Sequence, residues 1–227
     1  MADIEPFGIP FLNPLIQLTV GRRLRNRKMK QIRIPYLVKR LLCVWEKILE
    51  RNRGSAMDYI LDRLPRSDSS IFVDASTTWG IGGYWGRYYF STSWEKLKDF
   101  NPDFTARKEL FAALVAVFCF KDMLVDKIVV LYTDNTNARD WLVKRRSSNS
   151  VGNDYLMILE LMKYKVQCKL SVRWIPSKAN RNADILSRGG TPRGLQQKGR
   201  KITVNYKILA QYLADPVDAW RRMLMES

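Results

Sequence analysis

The sequence predicts an α/β domain: a five-stranded mixed sheet flanked by helices, preceded by a basic helical extension and followed by a short helical tail. Three observations predict it. Apolar runs of strand character occur five times, at 70–76, 80–86, 87–91, 127–133 and 168–175. The first three follow one another through tight turns, the pattern of an antiparallel meander. The last two alternate with helical periodicities, which is how parallel strands are joined.

Each element has its own signal. Residues 1–66 form an N-terminal extension, with Pro6, Pro10 and Pro14 near its start and a dense basic run from Gly21 to Lys30. That run reads either as a phosphate-binding segment or as a solvated face. Leu37, Leu41, Val44, Trp45 and Ile48 recur at helical spacing over 36–49, and Gly54 follows as a C-terminal cap. Residues 68–190 hold the sheet. A helix over 105–124 places Leu110, Ala113, Leu114, Val117 and Phe118 on one face. Shorter helices are expected over 135–144, over 154–165 with Leu156, Leu159 and Met162 inward, and from Ala183 to Arg188 after a loop at 176–180. Residues 191–227 read as a Gly- and Lys/Arg-rich linker, then helical periodicity over 206–213 and 218–225, separated by Pro216.

Composition limits the chemistry. Lys and Arg outnumber Asp and Glu by 39 to 22, a net charge of +17, which points to a polyanionic partner and foremost to nucleic acid. There is no histidine. Ser-His-Asp and Cys-His nucleophilic sites, histidine-ligated zinc and histidine general bases are therefore excluded. Cys43, Cys119 and Cys168 are isolated and form no CxxC pair, so neither a disulfide framework nor a cysteine zinc site is expected. No apolar run reaches the roughly 18–20 residues a membrane helix needs, and the acidic start lacks a leader pattern. An intracellular protein with no membrane partner is expected, with nucleus and cytoplasm not distinguished.

Four carboxylates fall where α/β sheets gather ligands, at strand ends and helix starts. Asp74 ends the first strand, Glu109 lies early in the first long helix, Asp134 ends the fourth strand, and Asp184 opens the last helix of the domain. Singly, each reads as readily as a cap or surface charge as it does as part of a site. Jointly, and without histidine, they describe an all-oxygen site suited to Mg²⁺ or Mn²⁺.

The residues around these acids resemble a known family. Phe72-Val-Asp-Ala-Ser76 followed by Gly80, Gly82 and Gly83 resembles the first strand of the ribonuclease H domain of retroelement reverse transcriptases. Ala106-Arg-Lys-Glu-Leu110 is similar to its helix-borne glutamate motif, and Thr133-Asp-Asn135 with Ala138 to its third motif. Trp174-Ile-Pro-Ser-Lys-Ala-Asn-Arg-Asn-Ala-Asp-Ile-Leu-Ser-Arg188 is similar to the signature of gypsy-like and DIRS-like elements, with Ser177 where glycine is usual. The resemblance covers about 68–190, and 6–20 looks like the connection segment that precedes this domain.

The resemblance implies a ribonuclease H-like fold and an endonuclease that cuts the RNA strand of RNA–DNA hybrids. It implies two Mg²⁺ or Mn²⁺ ions, with Asp74 bridging both, Glu109 and Asp134 at the leaving group, and Asp184 at the attacking water. Cellular relatives carry a histidine before the last acid; its absence here implies slower turnover. Ser76 and Asn135 are expected to touch phosphate or the 2′-hydroxyl, and Trp79 to stack on a base or sugar. Arg139, Lys144, Arg145, Arg146 and Lys178 are expected phosphate contacts. The chain has no Asp-Asp pair and so no polymerase motif; a polymerase or host protein is the candidate protein partner. Two other readings remain: a catalytically silent scaffold of the same fold, and a DNA nuclease of that fold.

Overall fold

The computed structural model describes residues 36–51, 64–97, 100 and 103–226. The basic run at 21–30, the connection-like segment at 6–20 and the Gly54 cap lie outside these residues. The protein is an α/β structure built on a six-stranded mixed sheet flanked by helices.

The strands are β1 (Ile71–Ala75), β2 (Gly80–Trp85), β3 (Tyr88–Ser93), β4 (Ile128–Thr133), β5 (Lys169–Trp174) and β6 (Arg200–Lys201), and they lie side by side in the order β5-β4-β1-β2-β3-β6. The helices are α1 (Tyr36–Arg51), α2 (Thr105–Phe120), α3 (Thr136–Lys144), α4 (Ser150–Lys165), α5 (Arg181–Ser187), α6 (Arg193–Lys198), α7 (Tyr206–Ala214) and α8 (Pro216–Glu226). β1, β2 and β3 form the antiparallel meander, while β4 and β5 join in parallel.

One strand departs from expectation. Five strands were expected, and the sixth comes from a stretch read as linker. Arg200 N–H donates to the Arg87 carbonyl at 2.8 Å, and Ile202 N–H to the Tyr89 carbonyl at 2.7 Å. Those two bonds dock a very short strand in parallel on the open edge of β3. Two charged residues between Gly199 and Ile202 leave no alternation to read, so sequence periodicity could not find it.

Helix ends follow local polar residues. Asn135, Asn149 and Asn205 each place a side-chain oxygen on a first-turn N–H, at 2.9, 2.7 and 3.2 Å. The Asn149 cap starts α4 at Ser150, four residues earlier than the apolar spacing suggests. Arg145 ends α3 in the left-handed region (φ 51°).

The core lies on one face of the sheet. Ile71, Val73 and Ala75 of β1 and Ile81 of β2 point toward α2, which is buried almost all round from Glu109 to Phe118. α2 is the central helix: it packs on β1 and β2 and touches both α4 and α3, and α3 itself rests on β4 and β5. The opposite face of β1, β2 and β3 is covered by the short helix α5.

Both ends of the described chain meet on one flank. α7 and α8 pack against α4, and Trp220, with no exposed surface, donates Nε1–H to the Met157 carbonyl at 3.0 Å. α1 packs on α8 through buried Val38 and Leu41, and Arg40 forms a two-pronged ion pair with Asp215 at 2.9 and 3.1 Å. The ion pair is partly exposed, at 28% and 42% of its two side chains, so Arg40→Ala is expected to cost about 1 kcal/mol in a denaturant melt. A loss of several kcal/mol would show that this pair, rather than the apolar contact, holds α1.

Candidate metal centre

Strand pairing brings the acids together. β1 and β4 are parallel neighbours paired through Ile71–Leu131 and Phe72–Tyr132. Past that point, side chains take over the groups that β1 turns toward β4. Asn180 Nδ2 donates to the Val73 carbonyl at 2.8 Å, and the Ala75 N–H donates to Glu109 Oε1 at 3.1 Å. These bonds satisfy backbone that would otherwise be buried unpaired. They also bind the start of α2 and the loop before α5 to the end of β1.

Three acids converge there. Asp74 on β1 and Glu109 on α2 are buried, and Asp134, just past β4, is half-buried. Each offers one carboxylate oxygen, and the three oxygens lie within 4.8 Å of one another. Glu109 Oε2 also accepts from Thr133 Oγ1 at 3.3 Å, and Thr133 Oγ1 in turn accepts from the Asn135 N–H at 3.2 Å. Asp74 Oδ2 accepts from Ser187 Oγ on α5, a hydroxyl that also lies 2.9 Å from the Asp184 carbonyl.

The electrostatics are those of crowded buried carboxylates. Burial pushes the Asp74 carboxyl up to about 6; the Ser187 hydroxyl opposes this, and the charges of Asp134 and Asp184 add to it. Burial also raises Glu109 well above the ordinary glutamate range, with Asp74 and Asp134 acting in the same direction. A cation among the three would relieve this strain. The donors are all oxygens, so the triad could hold a hard divalent ion.

The fourth expected acid is placed differently. Asp184 sits in the first turn of α5, outside the group of three, and Arg188 Nε donates to its Oδ1 at 2.8 Å. Neither Asp134 nor Asp184 caps a helix: Asn135 caps α3, and Asp184 is inside α5.

The expected nucleic-acid contacts divide. Ser76 is buried, and its hydroxyl accepts the Thr78 and Trp79 N–H groups at 3.3 and 3.2 Å, shaping the β1–β2 turn. Trp79 is 36% exposed, and its indole stands against Gly189, where φ is +83° and an added Cβ would come within 2.5 Å of the ring. Asn135 uses its side-chain oxygen as a helix cap. Arg139 Nε lies 2.8 Å from Asp140 Oδ1, and Lys144 Nζ lies 3.6 Å from Asp140 Oδ2. Arg145 turns toward buried Glu160, at 3.9 Å, while Arg146 and Lys178 are exposed.

Sequence reasoning did not single out Thr133, Trp174, Asn180 or Ser187. Trp174, Asn180 and Ser187 lie inside the 174–188 motif, which was the available signal, and Thr133 precedes a motif acid. Their roles depend on atoms far apart in sequence: Ser187 bonds Asp74, and Asn180 bonds Val73. Comparison with known proteins adds no relative, because no family model, curated protein or solved structure gives a significant match.

Proposed function

We propose that the protein is a ribonuclease H-type phosphodiester hydrolase that cleaves the RNA strand of RNA–DNA hybrids. One observation carries this reading. Asp74, Glu109 and Asp134 come from three separate sequence motifs and meet within 4.8 Å. A six-stranded mixed sheet with β1 between β2 and β4 is compatible with the fold that the resemblance implies. The net charge of +17 suits a polyanionic substrate.

Two Mg²⁺ or Mn²⁺ ions, when bound, would activate a water and stabilise the departing 3′-oxygen, leaving 5′-phosphate and 3′-hydroxyl ends. Asp74, Glu109 and Asp134 supply the carboxylates that hold this charge. Asn180, Thr133 and Ser187 fix the strand ends and oxygens from behind. Asp184, whose charge already acts on Asp74, could join through the carboxylate oxygen that Arg188 Nε does not hold, or through both oxygens if that bond opens. That pair is 63% and 41% exposed at its two side chains, so opening it costs about 1 kcal/mol or less.

The test is cleavage of labelled hybrid, single-stranded RNA, duplex RNA and duplex DNA. Mg²⁺ or Mn²⁺ should support cutting of the hybrid's RNA strand, Ca²⁺ should support binding without cutting, and EDTA should stop the reaction. Metal affinity, read by titration calorimetry, should fall as pH drops through about 6, where Asp74 takes up its proton. Turnover in EDTA would sink the metal-dependent reading. Tight hybrid binding without cutting in any metal would favour a scaffold, and cutting confined to DNA would favour a DNA nuclease.

A further inference from the structure

Trp174 ends β5, level with Thr133 of β4 and one residue from the level of Asp134. The residue is 46% exposed. Single exposed apolar side chains are ordinary, but this one is unusually constrained. Its Nε1–H donates to the backbone carbonyl of Asp134 at 2.8 Å. Among the described residues nine large apolar side chains are exposed, and Trp174 is the one whose side chain bonds the backbone of an acid in the cluster.

That bond has two consequences. It uses the only polar group of the side chain, so what remains at the surface is apolar π surface. It also fixes the ring, so little side-chain freedom is left to lose when something lies against it. Lys178, four residues on in the turn after β5, is exposed, whereas Arg173, the neighbour on the strand, projects from the opposite face of the sheet. A flat apolar surface, held rigid beside an acid cluster in a chain of net charge +17, matches the face of a nucleoside in a bound strand.

We infer that Trp174 is a nucleoside-stacking platform of the substrate site, seating the base or sugar next to the scissile phosphate and so fixing the register of the strand against Asp74, Glu109 and Asp134. This rests on the proposed hybrid-cleaving function and specifies how that site holds its substrate. Stacking on a π face tolerates any base, so the platform confers register without sequence preference. Trp174 is a binding residue, distinct from the acids.

Two variants separate the platform from a merely structural indole. Trp174→Phe keeps an aromatic face and loses the N–H bond to Asp134. Trp174→Leu keeps apolar bulk and loses the π face as well. Hybrid affinity is measured by fluorescence anisotropy in Ca²⁺, and KM and kcat are measured in Mg²⁺. Trp174→Leu should weaken binding and raise KM by roughly 10- to 100-fold, the range for loss of one aromatic–base stack. Trp174→Phe should stay within a few-fold of wild type in affinity. The hybrid is also built with an abasic nucleotide at each position near the cut. One such position should weaken wild type but leave Trp174→Leu unchanged, because the partner of the missing base is already gone.

Two failures are distinguishable. If wild type cuts hybrid normally and both variants keep its affinity and KM, or no abasic position discriminates, the platform is wrong while the function stands. A kcat loss shared by both variants with unchanged affinity would also overturn it, since that is the signature of an indole that only positions Asp134. If wild type neither binds nor cuts hybrid, the proposed function fails and the platform fails with it.

Discussion

Asp74→Asn is expected to abolish hybrid cleavage and, in the metal-free protein at pH 7.5, to raise the melting temperature. The first effect follows from losing a ligand. Removing a group that merely supports a metal ligand costs about 10- to 100-fold, and Asp74 is proposed as a ligand itself, so the loss should exceed that. The second follows from burial. The Asp74 carboxyl is pushed from an ordinary 3.8 up to about 6, so the folded protein holds its proton more tightly than the unfolded chain does. Stability from this group is therefore complete below about pH 4 and is lost as pH rises toward 6. Above pH 6 the penalty is constant, on the order of 3 kcal/mol. Asparagine carries no charge and escapes it.

The gain should thus be absent near pH 3.5, grow between about 4 and 6, and level off above. For a chain of this size each kcal/mol is worth about 2–4 °C. Saturating Mg²⁺ should reverse the ranking by stabilising wild type through mass action and leaving the variant nearly unmoved. Thermal melts at pH 3.5, 5 and 7.5, with and without Mg²⁺, test the whole pattern. A variant that cuts hybrid would remove Asp74 from the site, and one less stable than wild type at pH 7.5 without metal would overturn the burial penalty. Asn is nearly isosteric and can still accept from Ser187, so packing supplies no competing reason for a change.

The same buried pair of acids explains what the sequence could and could not disclose. An aspartate at the end of Ile-Phe-Val-Asp is costly without a ligand, and that cost is visible in the residues alone; Glu109 follows Arg107 and Lys108, so its burial shows only in the fold. Strand and helix order from Ile71 to Ser187 was legible for other reasons: apolar residues recur at strand or helical spacing in β1, β4, β5, α2 and α4, and the tight turn at Gly86 marks β2 and β3 as a hairpin. Three things were not legible. β6 is too short to show a period. The helix start at Ser150, four residues before the expected 154, depends on Asn149, whose cap overrides apolar spacing. Asp184 has sequence neighbours like those of the other acids, yet it is held by Arg188 one helical turn away, a competition between a local ion pair and a distant cluster that spacing does not decide. Several expected phosphate contacts had the right charge but prior internal partners, as with Arg145 facing Glu160.

The helix that carries Asp184 depends on a single missing side chain. Gly82 lies directly opposite Asp74 in the β1–β2 ladder, beneath α5. A Cβ there would stand 2.5 Å from the carbonyl carbon and Cβ of Leu186 and from the nitrogen of Ser187. Two of these are helix backbone atoms, so no rotamer change makes room, and α5 must lift or the sheet must bend. α5 is held down by the Ser91 hydroxyl, which donates to the Leu186 carbonyl at 2.7 Å, and by Ser187 on Asp74. Lifting α5 would break both. Gly82→Ala is therefore expected to cost about 1–3 kcal/mol from overpacking alone, with the loss of the buried Ser187–Asp74 bond adding to it. Cleavage should fall with it, because Asp184 and Ser187 travel on α5. Gly194→Ala is the control: it lies in α6 with nothing within 4 Å of the added carbon, and a helical Gly-to-Ala change should be neutral or stabilising by up to about 1 kcal/mol. Denaturant melts of both variants, with hydrogen exchange at the α5 amides, decide the matter. If Gly82→Ala melts like wild type and the Arg188 and Gly189 amides stay protected, α5 does not sit against the sheet, and the support of Asp74 from behind is lost as an explanation.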